Sequence, residues 1–157
     1  SGQRSSYYID ARKTTMSAEG QRLIGPLALE CIRAEGWSPA AVGGLTMGVE
    51  PVAYAIARSS ADHPPVIDAF SVRKAAKEHG TRRRIEGNFT PGSAVVLLED
   101  VITSGGSALQ AAEVLQAEGA AILGVLAVVD REQGGRQAIE AAGFRVVALT
   151  TTSILLG

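Results

Sequence analysis

Two adjacent carboxylates, Glu99 and Asp100, precede Val101-Ile102 and then the small-residue run Thr103-Ser104-Gly105-Gly106-Ser107. Carboxylates accept hydrogen bonds from sugar hydroxyls. Glycines let backbone approach a ligand closely and take up strained turns. Free N–H groups at a helix start favour an anion such as phosphate, and Thr103, Ser104 and Ser107 add hydroxyl donors. A phosphorylated sugar suits both halves, with ribose hydroxyls on the acids and phosphate in the loop. No Gly-Lys-Ser/Thr follows the glycines, so this is not a Walker loop, and it is not a G-x-G-x-x-G dinucleotide fingerprint. The plain alternative is a strand–turn–helix with polar turn residues. Against it, paired acids at a buried strand end are costly without a ligand.

A second set of chemically useful residues is basic. Arg73 to Arg84 holds six cations and His79 within twelve residues. The segment has no apolar face, and Gly80 and Gly87 offer flexible points. It is a candidate lid for a highly charged anion. A solvated surface loop and a nucleic-acid contact are the competing readings.

Strands and helices must position both sets. Val95 to Leu98 is a continuous apolar run, read as a strand buried on both faces. Ala108 to Gly119 has helical composition. Ser17 is an N-cap candidate with Glu19 in the first turn. Leu23, Ile24, Leu27, Ala28, Cys31 and Ile32 recur at helical spacing, and Gly36 closes that helix. Cys31 reads as a small core residue, and Trp37 as a packing residue at the helix end. Strands are expected over Ala41–Leu45, Val66–Val72, Ala121–Val129 and Phe144–Leu149, with a short candidate at Tyr7-Tyr8-Ile9. Further helices are expected over Pro51–Ser59, with Pro51 in the first turn, and over Glu132–Ala142. His63-Pro64-Pro65 reads as a loop with His63 facing solvent. Residues 73–90 show no periodicity.

This alternation predicts an α/β domain with a mostly parallel central sheet flanked by helices. Right-handed crossovers put the strand C-terminal ends on one rim, where sites gather. That rim should collect Gly48, Arg73, Asp100 and Arg131. The 157 residues suit a single domain. With 46% hydrophobic residues and a mean hydropathy of +0.15, the chain can bury a substantial core. Only 4% is aromatic, which favours small residues packing helices tightly on the sheet. The net charge of −1 carries no polyanion-binding signature. One cysteine excludes an intrachain disulfide and fits a reducing cytosol, so a cytoplasmic location is expected. No apolar run approaches the about 18 residues of a membrane span, and no secretory signal is visible.

The run from Val95 to Ser107 resembles the phosphoribosyl-pyrophosphate (PRPP) loop of the type I phosphoribosyltransferases. Val72-Arg-Lys-x-x-Lys-x-His-Gly80, followed by Ile85-Glu86-Gly87, resembles the mobile loop of the orotate phosphoribosyltransferases. Three other stretches match that family in order: Ser1-Gly2-x-x-Ser5-Ser6-Tyr7-Tyr8-Ile9-Asp10, the pyrophosphate loop at Gly43-Gly44-Leu45-Thr46-Met47-Gly48, and Val129-Asp130-Arg131.

The resemblance implies the type I phosphoribosyltransferase fold with a flexible basic loop, as one domain over residues 1–157 that lacks some of the family's N-terminal residues. The implied activity makes orotidine 5′-monophosphate and pyrophosphate from PRPP and orotate, in pyrimidine biosynthesis. The implied PRPP site is Arg73, Lys74, Lys77, His79, Glu99, Asp100, Val101, Ile102, Thr103, Ser104, Gly105, Gly106 and Ser107. Thr103 and Arg131 would contact orotate, and Lys77, His79 and Asp100 would be catalytic. Mg²⁺ would be held mainly through PRPP, with no dedicated protein cage. A homodimer is implied, its basic loop reaching the neighbouring site, with neither nucleic acid nor membrane as partner. Some relatives carry a lysine where Met47 stands, so the loop at Thr46–Gly48 must work through backbone N–H groups. The rivals are a purine phosphoribosyltransferase and a PRPP-sensing, nucleic-acid-binding regulator of the same fold. The second lacks support from a second basic stripe or a set of stacking aromatics.

Overall fold

A computed structural model describes residues 9–76, 78–80 and 83–157. Alternating hydrophobic strands and amphipathic helices build one sheet with helices on both faces. The strands are β1 (Ala41–Leu45), β2 (Asp68–Val72), β3 (Ile85–Gly87), β4 (Ala94–Ile102), β5 (Ala121–Asp130) and β6 (Val146–Thr151). The helices are α1 (Arg12–Thr15), α2 (Ala18–Ala34), α3 (Glu50–Asp62), α4 (Gly106–Ala117), α5 (Gly135–Ala141) and α6 (Thr152–Leu156). The sheet order is β3-β2-β1-β4-β5-β6. Every neighbouring pair is parallel except β2 with β3. From β1 the chain winds outward to β2, and from β4 it winds the other way through β5 to β6. The strand order therefore reverses between β1 and β4. A crevice at the C-terminal ends of these two strands is the usual ligand position in such sheets.

Period-two alternation assigns the core. Val96 and Leu98 of β4 pack with Ile24, Ala28, Leu29 and Ile32 of α2 and with Val52 and Ile56 of α3. Val95 and Leu97 face the other way, onto Ala108, Ala111, Ala112 and Leu115 of α4 and Ile139 of α5. All four β4 residues are fully buried, each contributing about 1.5–3 kcal/mol of transfer free energy. Helix α2 begins as its residues dictate: the Ser17 side chain accepts from the Gly20 N–H at 2.9 Å. It ends before Gly36, whose φ of 76° only glycine adopts readily.

Several elements differ from the sequence expectation. β4 runs four residues past Leu98, so the acids lie inside the strand rather than after it. The 73–90 segment contains β3, too short to show periodicity. α5 starts at Gly135 rather than Glu132, because β5 runs on to Asp130 and residues 131–134 form an irregular connection ending in Gly134 at a φ of 91°. β2 starts at Asp68, and Val66 is exposed. α1 and α6 carried no sequence signal at their lengths of 4 and 5 residues. In α2, Leu23 and Leu27 of the expected stripe are turned outward at 44% and 50% exposure, while Leu29 takes their place inside. Ile9 is not in a strand, and Tyr7 and Tyr8 lie outside the described residues. Cys31 is half-buried against the core as expected.

Trp37 seats on β5. A Cβ added at Gly124 would lie 2.2 Å from the Trp37 ring. Gly124→Ala therefore overpacks this contact, at a cost of about 1–3 kcal/mol. The expected result is a melting temperature lower by roughly 3–10 °C, with a shifted emission maximum from the chain's one tryptophan. An unchanged melting curve and emission spectrum would refute this seating.

Candidate active site

Glu99 and Asp100 are neighbours on an extended strand, so their side chains leave opposite faces of the sheet. Glu99 lines a cavity of about 30 Å³ with Thr103, Ser104, Gly105, Gly106 and Ser107. Asp100 faces the β1 loop, where a Cβ on Gly48 would meet its Oδ2 at 2.9 Å. Gly48 has a φ of 133°, and its N–H donates to Glu50 Oε2 at 3.0 Å. Only glycine satisfies both the conformation and the space there. The two acids thus join the two loops that flank the strand-order reversal.

Their environments differ. Asp100 is half-buried, and its Oδ1 accepts from the Val101 N–H at 2.8 Å. Glu99 is 7% exposed, and its Oε1 has no hydrogen-bond partner among the described residues. Burial, helped by the neighbouring Asp100 charge, pushes the Glu99 carboxyl from 4.5 up to about 8. A buried carboxyl without a protein partner is a group prepared to meet a polar ligand.

The small-residue loop is shaped by a contact that the sequence reading missed. Gly105 caps α4 with a φ of 88° and no side-chain cap. A Cβ there would lie 2.9 Å from the Gly135 carbonyl oxygen. A Cβ on Gly135 would in turn lie 2.4 Å from the Thr103 carbonyl oxygen and 2.9 Å from the Gly105 nitrogen. The two loops interlock backbone to backbone. The pair Gly134-Gly135 was the available signal. Ser104 Oγ accepts from the Gly106 N–H at 3.3 Å, while Ser104, Gly106 and Ser107 stay exposed at the helix start. Ile102 is a core residue at 1% exposure, and Val101 is half-buried.

Arg131 leaves the neighbouring strand at the same level. Its N–H donates to the Ile102 carbonyl at 3.0 Å. Asp130, only 3% exposed, accepts from Arg136 Nε at 3.0 Å and from the Glu132 N–H at 2.9 Å. Arg136 Nη1 also donates to the Val146 carbonyl at 2.7 Å. Asp130 and Arg136 support this corner; Asp130 entered the sequence reading only within the Val129–Arg131 match, and Arg136 not at all.

The basic loop closes on itself at its base. The Arg73 N–H donates to the Arg84 carbonyl at 2.6 Å. Arg84 Nη2 returns bonds to the carbonyls of Arg73 at 3.0 Å and Lys74 at 2.7 Å. Arg73 Nε pairs with Glu86 Oε1 at 2.8 Å. Lys74 and His79 are exposed and share a cavity of about 550 Å³ with Thr46. Lys77, Thr81 and Arg82 lie outside the described residues. Met47 is 77% exposed. The rim thus gathers Gly48, Asp100, the 103–107 loop and Arg131, with the base of the basic loop alongside Thr46. A cavity of about 780 Å³ between β3 and α4 is lined by neither Glu99 nor Asp100. Among the described residues no group of three or more His, Cys, Asp or Glu could hold a metal ion.

The phosphoribosyl transferase domain model matches residues 17–146. The chain is 46% identical over 156 residues to an orotate phosphoribosyltransferase of Aquifex aeolicus, covering 99% of this chain and 84% of that one. It is 46% identical over 149 residues to the one of Pyrococcus furiosus, covering 95% and 79%. The crystal structure of the Mycobacterium tuberculosis orotate phosphoribosyltransferase in complex with PRPP superposes with a TM-score of 0.82 at 41% identity, covering 94% of this chain and 82% of that one.

The raised Glu99 carboxyl makes stability depend on pH in a defined direction. Between 4.5 and about 8 the folded chain holds a proton that the unfolded chain has released. Stability therefore falls as pH rises through that window. Glu99→Gln removes this dependence. Melting temperatures from pH 5 to 8.5 should fall for the parent by roughly 5 °C or more relative to the variant. Parallel curves for the two proteins would show that Glu99 is not protonated in the folded state.

Proposed function

The chain belongs to the orotate phosphoribosyltransferase family, and from that premise we propose that it transfers the phosphoribosyl group of PRPP to orotate with the rim residues described above. The observation that carries the assignment of roles is the junction at β4: a buried, unpartnered Glu99 carboxyl inside the loop that presents the α4 N–H groups. In this reading Thr103 to Ser107 hold the 5′-phosphate. Glu99 and Asp100 accept from the ribose 2′- and 3′-hydroxyls. Arg131 contacts orotate, with Thr103 beside it. The Thr46–Gly48 loop meets the pyrophosphate through backbone N–H groups, since Met47 has no charge to offer.

The chemistry follows from charge. The ring nitrogen of orotate gives its electron pair to the anomeric carbon of PRPP and loses its proton to the departing pyrophosphate or to water, while the carbon–oxygen pair leaves with pyrophosphate. Positive charge develops on the sugar and negative charge on the leaving group. Asp100, close to the reacting sugar, favours the first. Lys74, Lys77 and His79, closing from the basic loop with Arg73 at its base, favour the second. Closure also keeps water from the cationic carbon. The Arg73–Glu86 pair and the Arg84 bonds anchor the loop at its foot. The site's donors suit Mg²⁺ carried on the oxygens of PRPP and on water, with Glu99 and Asp100 nearby, as this ion commonly binds. When bound, it supplies neutralisation of the diphosphate charge.

A homodimer whose loop serves the neighbouring site completes the reading. The location is read as cytoplasmic from the cysteine usage. No helix among the described residues is long and apolar enough to cross a membrane.

Pyrophosphate release should depend on orotate and should not occur with adenine or hypoxanthine. Lys77→Ala should lower kcat about a hundredfold, the size of one lost charge contact in the transition state, with little change in the orotate KM. Release with a purine in place of orotate would overturn the substrate. Equal effects on kcat and orotate KM would overturn the role of Lys77.

A further inference from the structure

Glu132 is the one residue other than glycine with a positive φ among the described residues, at 60°. A residue with a Cβ enters that region only when its surroundings hold it there. Here the hold is specific. One Glu132 carboxylate oxygen accepts from the Ser153 N–H at 2.8 Å, and the other accepts from Ser153 Oγ at 2.8 Å. With the Thr151 hydroxyl added, these bonds lower the Glu132 carboxyl below its ordinary range despite its exposure. Its own N–H is fixed to Asp130 Oδ1. The chain therefore turns sharply one residue after Arg131, and the turn is tied to the first residues of α6.

Glu132 caps the Ser153 N–H of α6, but capping alone accounts neither for the Ser153 Oγ bond nor for the positive φ. α6 already has a local cap, Thr151 Oγ1 accepting from the Ile154 N–H at 3.3 Å. The Glu132 link instead crosses from the end of β5 to the end of β6, and it imposes an unfavourable conformation on the residue beside Arg131. The register places Ile102, Asp130 and Thr151 side by side across three strands. The Arg131 N–H is held by Ile102, and the following residue is held by Ser153. The direction in which Arg131 leaves the sheet is thus set from both sides.

We propose that Glu132 is a positioning residue for substrate recognition, acting through Arg131: its tether to Ser153 aims the Arg131 side chain at the carboxylate-bearing base. The proposal rests on the reading of Arg131 as the orotate contact. It makes α6 part of the frame of the base site without any contact to the ligand.

Steady-state kinetics with orotate and PRPP varied separately test it. Glu132→Ala should raise the orotate KM about tenfold, with the PRPP KM and melting temperature nearly unchanged. Glu132→Gln keeps an oxygen acceptor for Ser153 and should restore most of the affinity. Arg131→Ala should raise the orotate KM at least as far, and adding Glu132→Ala to it should raise it no further. If Arg131→Ala raises the orotate KM and Glu132→Ala does not, the positioning role is wrong and the orotate reading stands. If Arg131→Ala leaves the orotate KM unchanged, that reading fails and the proposal with it. Additive effects, or orotate and PRPP KM rising together with a falling melting temperature, also overturn the positioning role.

Discussion

An extended strand cannot point two consecutive side chains the same way. β4 is the strand from which the winding reverses, and Glu99 and Asp100 sit near its end. That one constraint sends one acid into the small-residue loop before α4 and the other against the glycine turn after β1. Two loops separated by more than fifty residues of chain are brought to one pair of adjacent acids by the pleat alone. Burial follows from the same position. A central strand has parallel neighbours on both sides and helices on both faces, so Glu99 is desolvated and its proton is held tightly. The charge balance of the site is therefore a property of sheet topology as much as of residue type.

The parts of this arrangement that were legible in the sequence are those governed by local rules. The apolar run Val95–Leu98, the Ser17 cap and the stop at Gly36 depend on residues within a turn or two of one another, and each lies where its pattern places it. The acidic pair and the following glycines were readable because their chemistry is unusual in a buried context. What escaped notice depends on partners distant in the chain. β3 has three residues and is defined by pairing with β2. Gly135 reads as one more turn glycine until the 103–105 backbone is placed against it. The exposure of Leu23 and Leu27 cannot be read from helical period, because the stripe fixes a face but not how much of it the next helix covers. The end of β4 was set too early because it was placed where the apolar run stops, whereas the carboxylates continue the ladder to Ile102.

The cationic segment is fastened at its foot. Arg73 and Arg84 exchange backbone and side-chain bonds across the base, and Glu86 of β3 accepts one guanidinium. These two arginines serve as anchors, so the segment's charge is not all of one purpose. β3 gains a reason to exist from the same pattern: it is the short rail to which that base is fastened beside β2.

The interlock of Gly105 with Gly135 also bears on how such a scaffold can be altered. Each backbone occupies the volume that a methyl group on the other would need. The two connections therefore form one mechanical part, although they lie in separate βα units. Grafting either connection from a distant relative without its counterpart would join surfaces that were never shaped together, so chimeras divided between β4 and β5 should be harder to build than those divided between β1 and β2.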